Sequence, residues 1–353
     1  MRLTDLETPA LVLDLDLFEQ NLDTMDHILE GSSAKLRPHY KSHKCPALAK
    51  IQMERGAKGI TCAKLGEAET LVEAGFPDIL IANEVVQPQK IAKLAYLARK
   101  TKLTVCVDSA KNIQDLQQAA ALAGSTIHCY VEYNAGLNRC GVSSFQEAYD
   151  LARQVQCADH LTFDGIQAYA GQLSHEEDEA ARLATVRQVE QTMGELKAYL
   201  EERGLPVREI SGASSATCAW KAQGGVYTEL QAGSYIFMDQ AFGGVHLPFQ
   251  RSLTVLTTVL SRNSHNLTVD AGAKSFGLDQ KEPVCVQLPD CPIRISEEHI
   301  TLDGENLPYQ VGEQLSFYPG HCCTTVNTFD FIYFKRGEQV VGRAPIAGRG
   351  KAQ

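Results

Sequence analysis

Short apolar segments alternate with amphipathic stretches over roughly the first two thirds of the chain. The apolar segments have strand length, and the stretches between them carry apolar residues at helical spacing. The eight apolar segments are 36–39, 59–62, 79–81, 104–107, 128–132, 163–167, 209–211 and 235–238. Strands that alternate with helices predict a parallel sheet, and eight strands close a (β/α)8 barrel of the TIM type. A doubly wound open sheet is the alternative.

The pattern changes near residues 243–248. The segments that follow alternate polar and apolar residues, are rich in Thr, Val and aromatic residues, and are separated by turn residues. They are 252–260, 266–270, 291–295, 299–302, 314–318, 329–334 and 339–341. The fold class is therefore predicted as α/β, with a barrel at 16–245 and an all-β domain formed by 1–15 and 246–353.

Composition narrows the class of protein. A chain of 353 residues is long enough for one large domain and a smaller one. The 33 Lys and Arg against 43 Asp and Glu give a net charge of -10, which argues against nucleic acid as a partner. The sequence contains neither an apolar run of membrane-spanning length nor a signal peptide at its start. The 11 cysteines are scattered through apolar segments, which indicates reduced thiols and predicts a cytoplasmic protein.

A basic segment lies at residues 36–44 of this acidic chain. Its potentially cationic side chains are Arg37, His39, Lys41, His43 and Lys44. Pro38 disfavours a helix, and in an extended segment Arg37, Lys41 and the two histidines would face the same way. Neighbouring cations favour the neutral form of a lysine, which is a nucleophile that forms Schiff bases with carbonyl compounds or pyridoxal 5'-phosphate (PLP). The alternative is an exposed basic loop.

Further polar segments follow the predicted strands, where barrel enzymes build their sites. Arg139 follows the fifth strand and Tyr169 the sixth. The small residues after the seventh strand are Ser211, Gly212, Ala213, Ser214 and Ser215. Small side chains allow backbone N–H groups to approach a phosphate, although ordinary loops often have this composition too. Arg139 is a candidate partner for an oxyanion, or simply a solvated arginine.

His321 and Cys323 form a candidate metal site in the predicted β domain. Residues two apart in an extended segment point the same way, and an imidazole with a thiolate suits zinc. Two protein ligands would leave an open, catalytic site rather than a structural one. The alternative is a core histidine beside buried thiols.

Taken in order, these motifs resemble those of the D-threonine aldolase and D-serine dehydratase family of fold-type III PLP enzymes. The motifs are Arg37-Pro-His-x-Lys41-x-His-Lys44, Gly136-Leu-Asn-Arg139-Cys-Gly-Val, Gln167-Ala-Tyr169-x-Gly171, Ser211-Gly212, Phe237-Met-Asp239 and Pro319-Gly-His321-x-Cys323. The resemblance extends over essentially the whole chain. It implies an alanine-racemase-like barrel with a C-terminal β domain, bound PLP, a divalent metal ion and a homodimer.

The resemblance also implies roles for individual residues. Lys41 would form the Schiff base with PLP and move the α-proton of the substrate. The implied cofactor-binding residues are Lys41, His39, Arg139 at the ring hydroxyl side, Tyr169 near the ring, Ser211, Gly212, Ala213, Ser214 and Ser215 at the phosphate, and Tyr235. His321 and Cys323 would hold the metal ion that binds the β-hydroxyl of a D-3-hydroxy amino acid. The loop at Ala213, Ser214 and Ser215 departs from the Gly- and Thr-Pro-richer form in the family, which weakens the assignment of individual phosphate ligands.

Two lyase reactions fit this set of residues. Family aldolases typically carry Asp at the second metal position, whereas dehydratases carry Cys, as this chain does at Cys323. Since thiolate favours zinc over manganese or magnesium, we expect a dehydratase that converts D-serine or 3-hydroxy-D-aspartate to a 2-oxo acid and ammonia. An aldolase that yields glycine and an aldehyde is the first alternative, and an amino-acid racemase is the second. The β domain argues against a PLP carrier without catalytic activity.

Overall fold

The computed structural model describes residues 1–353 and divides into two compact units. The first unit comprises Met1–Thr24, Ser42–Ala47 and Ser234–Gly350. The second comprises Met25–Lys41, Leu48–Gly233 and Lys351–Gln353. The expected ranges were 16–245 for the barrel and 1–15 with 246–353 for the β domain. The units differ from them because three segments of the barrel range, 16–24, 42–47 and 234–245, group with the β sheet, and Lys351–Gln353 group with the barrel. None of the helices combines the length and apolar character needed to cross a membrane.

The chain forms strands throughout its length, whereas all but the last of its helices lie before residue 225. The strands are β1 (Ala10–Asp14), β2 (Lys35–Leu36), β3 (Ile60–Cys62), β4 (Asp78–Glu84), β5 (Lys102–Val107), β6 (Ile127–Glu132), β7 (Leu161–Gln167), β8 (Glu209–Gly212), β9 (Glu229–Leu230), β10 (Leu253–Arg262), β11 (Asn266–Val269), β12 (Val284–Cys285), β13 (Ile293–Ile295), β14 (Ile300–Asp303), β15 (Gln314–Tyr318), β16 (Phe331–Arg336) and β17 (Gln339–Pro345). The helices are α1 (Leu15–Leu29), α2 (Pro46–Glu54), α3 (Leu65–Glu73), α4 (Pro88–Leu97), α5 (Ala110–Ala123), α6 (Phe145–Gln156), α7 (Glu179–Glu201), α8 (Cys218–Gly224) and α9 (Cys322–Val326).

Eight parallel strands of the second unit form one sheet in the order β2-β9-β8-β7-β6-β5-β4-β3. The two edge strands are joined by hydrogen bonds from Lys58 N to Leu36 O (2.8 Å) and from Thr61 N to Pro38 O (2.9 Å). These bonds close the sheet. The barrel prediction is therefore confirmed, and the doubly wound alternative is excluded.

The eighth strand was placed wrongly by the sequence pattern. The eighth strand of the barrel is β9. The segment predicted as this strand, 235–238, overlaps the 3-10 turn Ser234–Ile236. Both Tyr235 and Phe237 are fully buried, so their apolar character reflects packing rather than a strand. β9 was missed because it has only two residues, one of them the buried Glu229. A two-residue strand has no detectable periodicity.

The N-terminus of helix α6 carries a signal that is recognisable in the sequence. Ser144 caps the helix by accepting from Glu147 N (3.2 Å), and the Glu147 carboxylate accepts from Ser144 N (3.0 Å). This reciprocal pair is a capping box, which satisfies two of the N–H groups that a helix start leaves unpaired. Helix α5 has a serine cap at Ser109 and ends at Gly124 in the left-handed region (φ 61°).

The first unit is built on a nine-stranded, mostly antiparallel sheet. Its main order is β13-β14-β11-β10-β1-β16-β17, and β15 pairs with β10 and β12. The N-terminal strand β1 pairs antiparallel with β10 and parallel with β16. The prediction of a C-terminal β domain is confirmed, with the five-residue helix α9 as an addition to it. None of the 11 cysteines of the chain forms a disulfide bond.

A buried ionic network lies at the amino-terminal ends of the barrel strands. The guanidinium of Arg37 pairs with Asp78 Oδ1 (2.8 Å) and with Glu229 Oε1 (2.8 Å). Glu229 also accepts from Tyr130 Oη (3.1 Å) and pairs with Lys58 (3.0 Å). Burial acts to raise the pKa of Glu229, but the charges of Arg37 and Lys58 hold this pKa below its usual value. The network thus keeps the carboxylate of Glu229 charged inside the barrel.

Because Arg37 belongs to this network, the expectation that it faces the same way as Lys41 is wrong. Its carboxylate partners lie far away in sequence and draw the guanidinium into the barrel interior. The alternation also ends at the 3-10 turn Tyr40–Ser42, so the basic segment is not extended throughout.

Replacing Arg37 by Met should destabilise the protein by roughly 3–5 kcal/mol, because the fully buried Glu229 would lose its main counter-charge. Urea unfolding measures this loss as a lower midpoint. The control is Arg294→Ala, which breaks an exposed pair with Asp303 and should leave the midpoint nearly unchanged. Equal midpoints for the two variants would contradict a central role for the network.

Candidate active site

Three of the predicted site residues come together at the carboxyl ends of the barrel strands. Lys41 Nζ and Arg139 Cζ each lie 5.8 Å from the centroid of the Tyr169 ring. Lys41 is in the 3-10 turn after β2, Arg139 in the loop after β6, and Tyr169 just beyond β7. The Lys41 backbone N–H donates to Nδ1 of the buried His39 (3.4 Å). The Lys41 amine and the Arg139 guanidinium therefore both lie close to the ring of Tyr169, which is consistent with a Schiff-base lysine.

The loop after β8 contains a buried hydroxyl that suits an anion. Ser215 Oγ is buried and has no hydrogen-bond partner within the protein. Ala213 adopts a left-handed conformation (φ 77°), and Ser214 N donates to Thr217 Oγ1 (3.1 Å) in the turn that leads into α8. A buried hydroxyl must find an acceptor or a donor, and a phosphate oxygen would meet that need. The loop therefore fits the phosphate of PLP.

Ser211 and Tyr235 have other surroundings. The Ser211 hydroxyl accepts from Gln231 Nε2 (2.8 Å), which also donates to Gln167 Oε1 (2.5 Å). This hydroxyl is thus bonded within the barrel, and Gln231 is a residue that the sequence analysis missed. Tyr235 belongs to the first unit, where its ring packs on Phe249 with centroids 5.6 Å apart. Cofactor contacts of both residues stay predictions.

The structure brings the predicted metal ligands together, although not in the expected conformation. His321 is extended (φ -138°), but Cys323 lies in the first turn of α9. The ring of His321 contacts the Cys323 thiol, and its Nδ1 is 2.7 Å from Asp279 Oδ2. Burial favours the neutral ring, yet these two contacts raise the pKa of His321 to about 9. An imidazole and a thiol beside a carboxylate form a donor set that fits a divalent metal ion.

Hydroxyl groups and a second carboxylate surround the Cys323 thiol and its turn. Cys323 Sγ is 3.5 Å from Oγ of Ser42, the residue after Lys41, and 3.8 Å from Ser234 Oγ. Asp239 is 1% exposed and accepts from Cys322 N (2.7 Å) through Oδ2, while its Oδ1 has no hydrogen-bond partner. Burial raises the pKa of this carboxyl. Asp239 thereby fixes the backbone between the two predicted ligands.

A second group of possible metal ligands lies on the barrel. Glu84, Asp108 and Cys140 offer ligand atoms within 4.8 Å of one another. Cys140 follows Arg139. Burial raises the pKa of Glu84, and burial also raises the pKa of the nearby Glu132 to about 8. The sequence analysis missed this group, even though each member follows or ends a predicted strand. It places carboxyl groups close to Arg139.

The alanine-racemase class of PLP enzymes combines a parallel barrel with a separate β domain. This chain has both, with Lys41 at the carboxyl end of the barrel in the second unit and the β sheet in the first unit. The family described as alanine racemase, N-terminal domain, matches residues 13–241, and the putative serine dehydratase domain matches residues 252–335. The chain belongs to the D-threonine aldolase and D-serine dehydratase family of fold-type III PLP enzymes.

Individual relatives match nearly the whole chain. D-threonine aldolase from Arthrobacter sp. is 38% identical over 357 residues, which cover 99% of this chain and 94% of that protein. The crystal structure of D-threonine aldolase from Filomicrobium marinum has a TM-score of 0.97 and 38% identity, covering 100% of this chain and 98% of that one. D-threo-3-hydroxyaspartate dehydratase from Delftia sp. is 30% identical over 79% of this chain and 74% of that protein. The likeness thus supports a PLP-dependent lyase.

Lys41→Ala should remove the covalent attachment of PLP, since the predicted nucleophilic amine is lost. Protein incubated with PLP and reduced with borohydride would be examined by intact-mass spectrometry. We expect a pyridoxyl adduct on the unaltered chain and on the exposed control Lys64→Ala, and none on Lys41→Ala. An adduct of equal yield on Lys41→Ala would assign the cofactor to another lysine.

Proposed function

We propose that this protein is a PLP- and divalent-metal-dependent lyase that cleaves D-3-hydroxy amino acids to glycine and an aldehyde. The observation that carries the proposal is the likeness to D-threonine aldolase, which extends over the full length of both chains. The side chains support it, because Lys41 meets Arg139 and Tyr169 in one unit and His321 meets Cys323 in the other.

The residues of the barrel are suited to hold PLP and to move a proton. When bound, PLP supplies an electron sink for the electron pair left at the substrate Cα. Lys41 would hold the cofactor covalently and, once displaced by substrate, carry a proton to or from Cα. Arg139 would bind the negatively charged side of the ring, and the buried hydroxyl of Ser215 would donate a hydrogen bond to a phosphate oxygen.

The residues of the first unit are suited to hold the metal ion. His321 and Cys323 would be its protein ligands, which leaves further positions for water or for the substrate hydroxyl. A divalent ion supplies a Lewis acid there, which lowers the pKa of a bound hydroxyl group. Loss of the hydroxyl proton is what aldol cleavage requires. The overall reaction converts one D-3-hydroxy amino acid to one glycine and one aldehyde, with no oxidant or reductant.

Dehydration is the second candidate function, and Cys323 favours it. The D-threo-3-hydroxyaspartate dehydratase has been solved as a histidine-to-alanine variant and, in a metal-free form, with alanine replacing a cysteine two positions further along. That spacing equals the spacing of His321 and Cys323. The preference for a dehydratase in the sequence analysis is nevertheless unsupported, since the relatives that share 38% of their residues with this chain are aldolases, whereas the dehydratases share 30% or less. Zinc as the ion and a homodimer as the assembly stay predictions.

A product assay distinguishes the reactions. PLP-loaded protein with zinc or manganese would receive D-threonine, 3-hydroxy-D-aspartate and D-serine, with the L-enantiomers as controls. We expect glycine and an aldehyde from the first two substrates, and loss of both products on chelation of the metal. Ammonia with a 2-oxo acid would instead establish the dehydratase, and inverted substrate alone would indicate a racemase.

Neighbouring cysteines provide a matched test of the metal ligands. Cys323→Ala should weaken metal binding by more than about 100-fold while PLP absorbance is kept, because even outer-shell substitutions typically cost 10–100-fold. Cys322→Ala should keep the metal, since the link from Cys322 to Asp239 uses its backbone N–H. The metal content after dialysis measures both. Equal metal content in the two variants would exclude Cys323 as a ligand.

A further inference from the structure

The loop that connects β11 to β12 is bound tightly to the turn that carries His321. Two glycines allow this close approach: a Cβ atom on Gly277 would overlap Thr324 Oγ1, and one on Gly320 would overlap the Lys281 carbonyl oxygen. Gly277 N also donates to Thr325 Oγ1 (2.9 Å). Backbone from the loop therefore packs directly on both sides of the histidine.

This packing delivers the carboxylate of Asp279 to the His321 ring. Asp279 Oδ2 is 2.7 Å from His321 Nδ1, and Oδ1 accepts from Thr324 Oγ1 (2.6 Å). A carboxylate can only accept, so the ring nitrogen that faces it carries the proton. In a neutral imidazole, Nε2 is then the nitrogen that can bind a metal ion.

We propose that Asp279 is a positioning residue for the metal site, an inference that rests on the proposed function. It fixes the tautomer and orientation of His321, so that Nε2 is presented as a ligand to a divalent ion. Thr324 holds the second carboxylate oxygen and prevents Asp279 from turning away. A carboxylate behind a ligating histidine also increases the basicity of the ring, which strengthens the bond to the metal.

Another histidine–aspartate pair in the chain shows what a structural pair looks like. His128 Nδ1 is also 2.7 Å from a carboxylate, that of Asp164, but Asp164 is shared with Lys102 (3.1 Å) and Arg208 (3.2 Å). Asp279 pairs with no lysine or arginine, and its other partner is the neutral hydroxyl of Thr324. The Asp279 side chain is 48% exposed, so its pair with His321 adds little to the stability of the fold. The geometry of the pair instead points to a role in orienting the His321 ring.

The test measures metal affinity without substrate. PLP-loaded, metal-free protein is titrated with cobalt(II), and the absorption of the cobalt–thiolate bond reports binding at Cys323. Asp279→Ala should raise the dissociation constant about 10- to 100-fold. Asp279→Asn should have a smaller effect, because the amide oxygen still accepts from Nδ1–H. The exposed Asp290→Ala, a matched loss of charge in the same unit, should leave the constant unchanged.

A second variant separates positioning from a damaged loop. Thr324→Val keeps the side-chain volume but removes the hydrogen bond to Asp279, and it should weaken cobalt binding to an intermediate degree. The melting temperature of the metal-free protein and its PLP absorbance should stay the same in all variants. The positioning role would be overturned if the melting temperature or the PLP absorbance fell in Asp279→Ala alone. In that outcome Asp279→Asn and Thr324→Val would keep both properties and would bind cobalt as tightly as the unaltered protein.

The outcomes separate this inference from the proposed function. Unchanged cobalt affinity in Asp279→Ala, with the unaltered protein binding cobalt and cleaving substrate, would overturn the inference alone. The expected shift in affinity, with no product from any D-3-hydroxy amino acid, would overturn the proposed function alone. Failure of the unaltered protein to bind cobalt would overturn both, since Asp279 would have no metal ion to act on.

Discussion

The buried guanidinium of Arg37 is the interaction on which the barrel depends. Strands β2 and β9 have two residues each, so few backbone hydrogen bonds join them to their neighbours. Arg37 follows β2 and bonds to the first residue of β9 and to the first residue of β4, on the other side of the seam where the sheet closes. Because Arg37 stands four positions before Lys41, the same bonds fix where the predicted catalytic segment leaves the barrel. An ionic network at one end of the strands thereby supports the site at the other end.

Much of the barrel could be predicted from the sequence because its signals are local. The alternation of apolar segments and helical spacing located seven of the eight strands, and the placement of Lys41, Arg139 and Tyr169 after strands brought them to one end of the barrel. The partners of Arg37 could not be predicted in this way. Asp78 and Glu229 lie 41 and 192 residues away, and nothing in a local pattern indicates which carboxylate a given arginine will meet.

In the candidate metal site, too, residues close in sequence could be predicted and a residue distant in sequence could not. The pair His321 and Cys323 was found from residue type and spacing, although the extended conformation assumed for it is wrong at Cys323. The pair still meets because the first turn of α9 brings the thiol back towards the ring. Asp279, in contrast, precedes His321 by 42 residues and comes from a loop with no regular structure. Only the folded chain shows that Gly277 and Gly320 let that loop approach.

The thiolate at Cys323 and the full-length likeness to aldolases lead to different reactions, and the chemistry shows why the likeness weighs more. The type of ligand decides which metal ion is preferred, because soft thiolate selects zinc over harder ions. It does not decide which bond breaks. That choice depends on how the substrate is oriented, and orientation is set by the whole pocket around the reacting atoms. A zinc ion held by His321 and Cys323 can lower the pKa of a hydroxyl for aldol cleavage as well as assist its departure in dehydration. Cys323 is therefore evidence about the metal, whereas the proposed aldol cleavage rests on sequence identity, which is 38% to a D-threonine aldolase and 30% or less to the dehydratases.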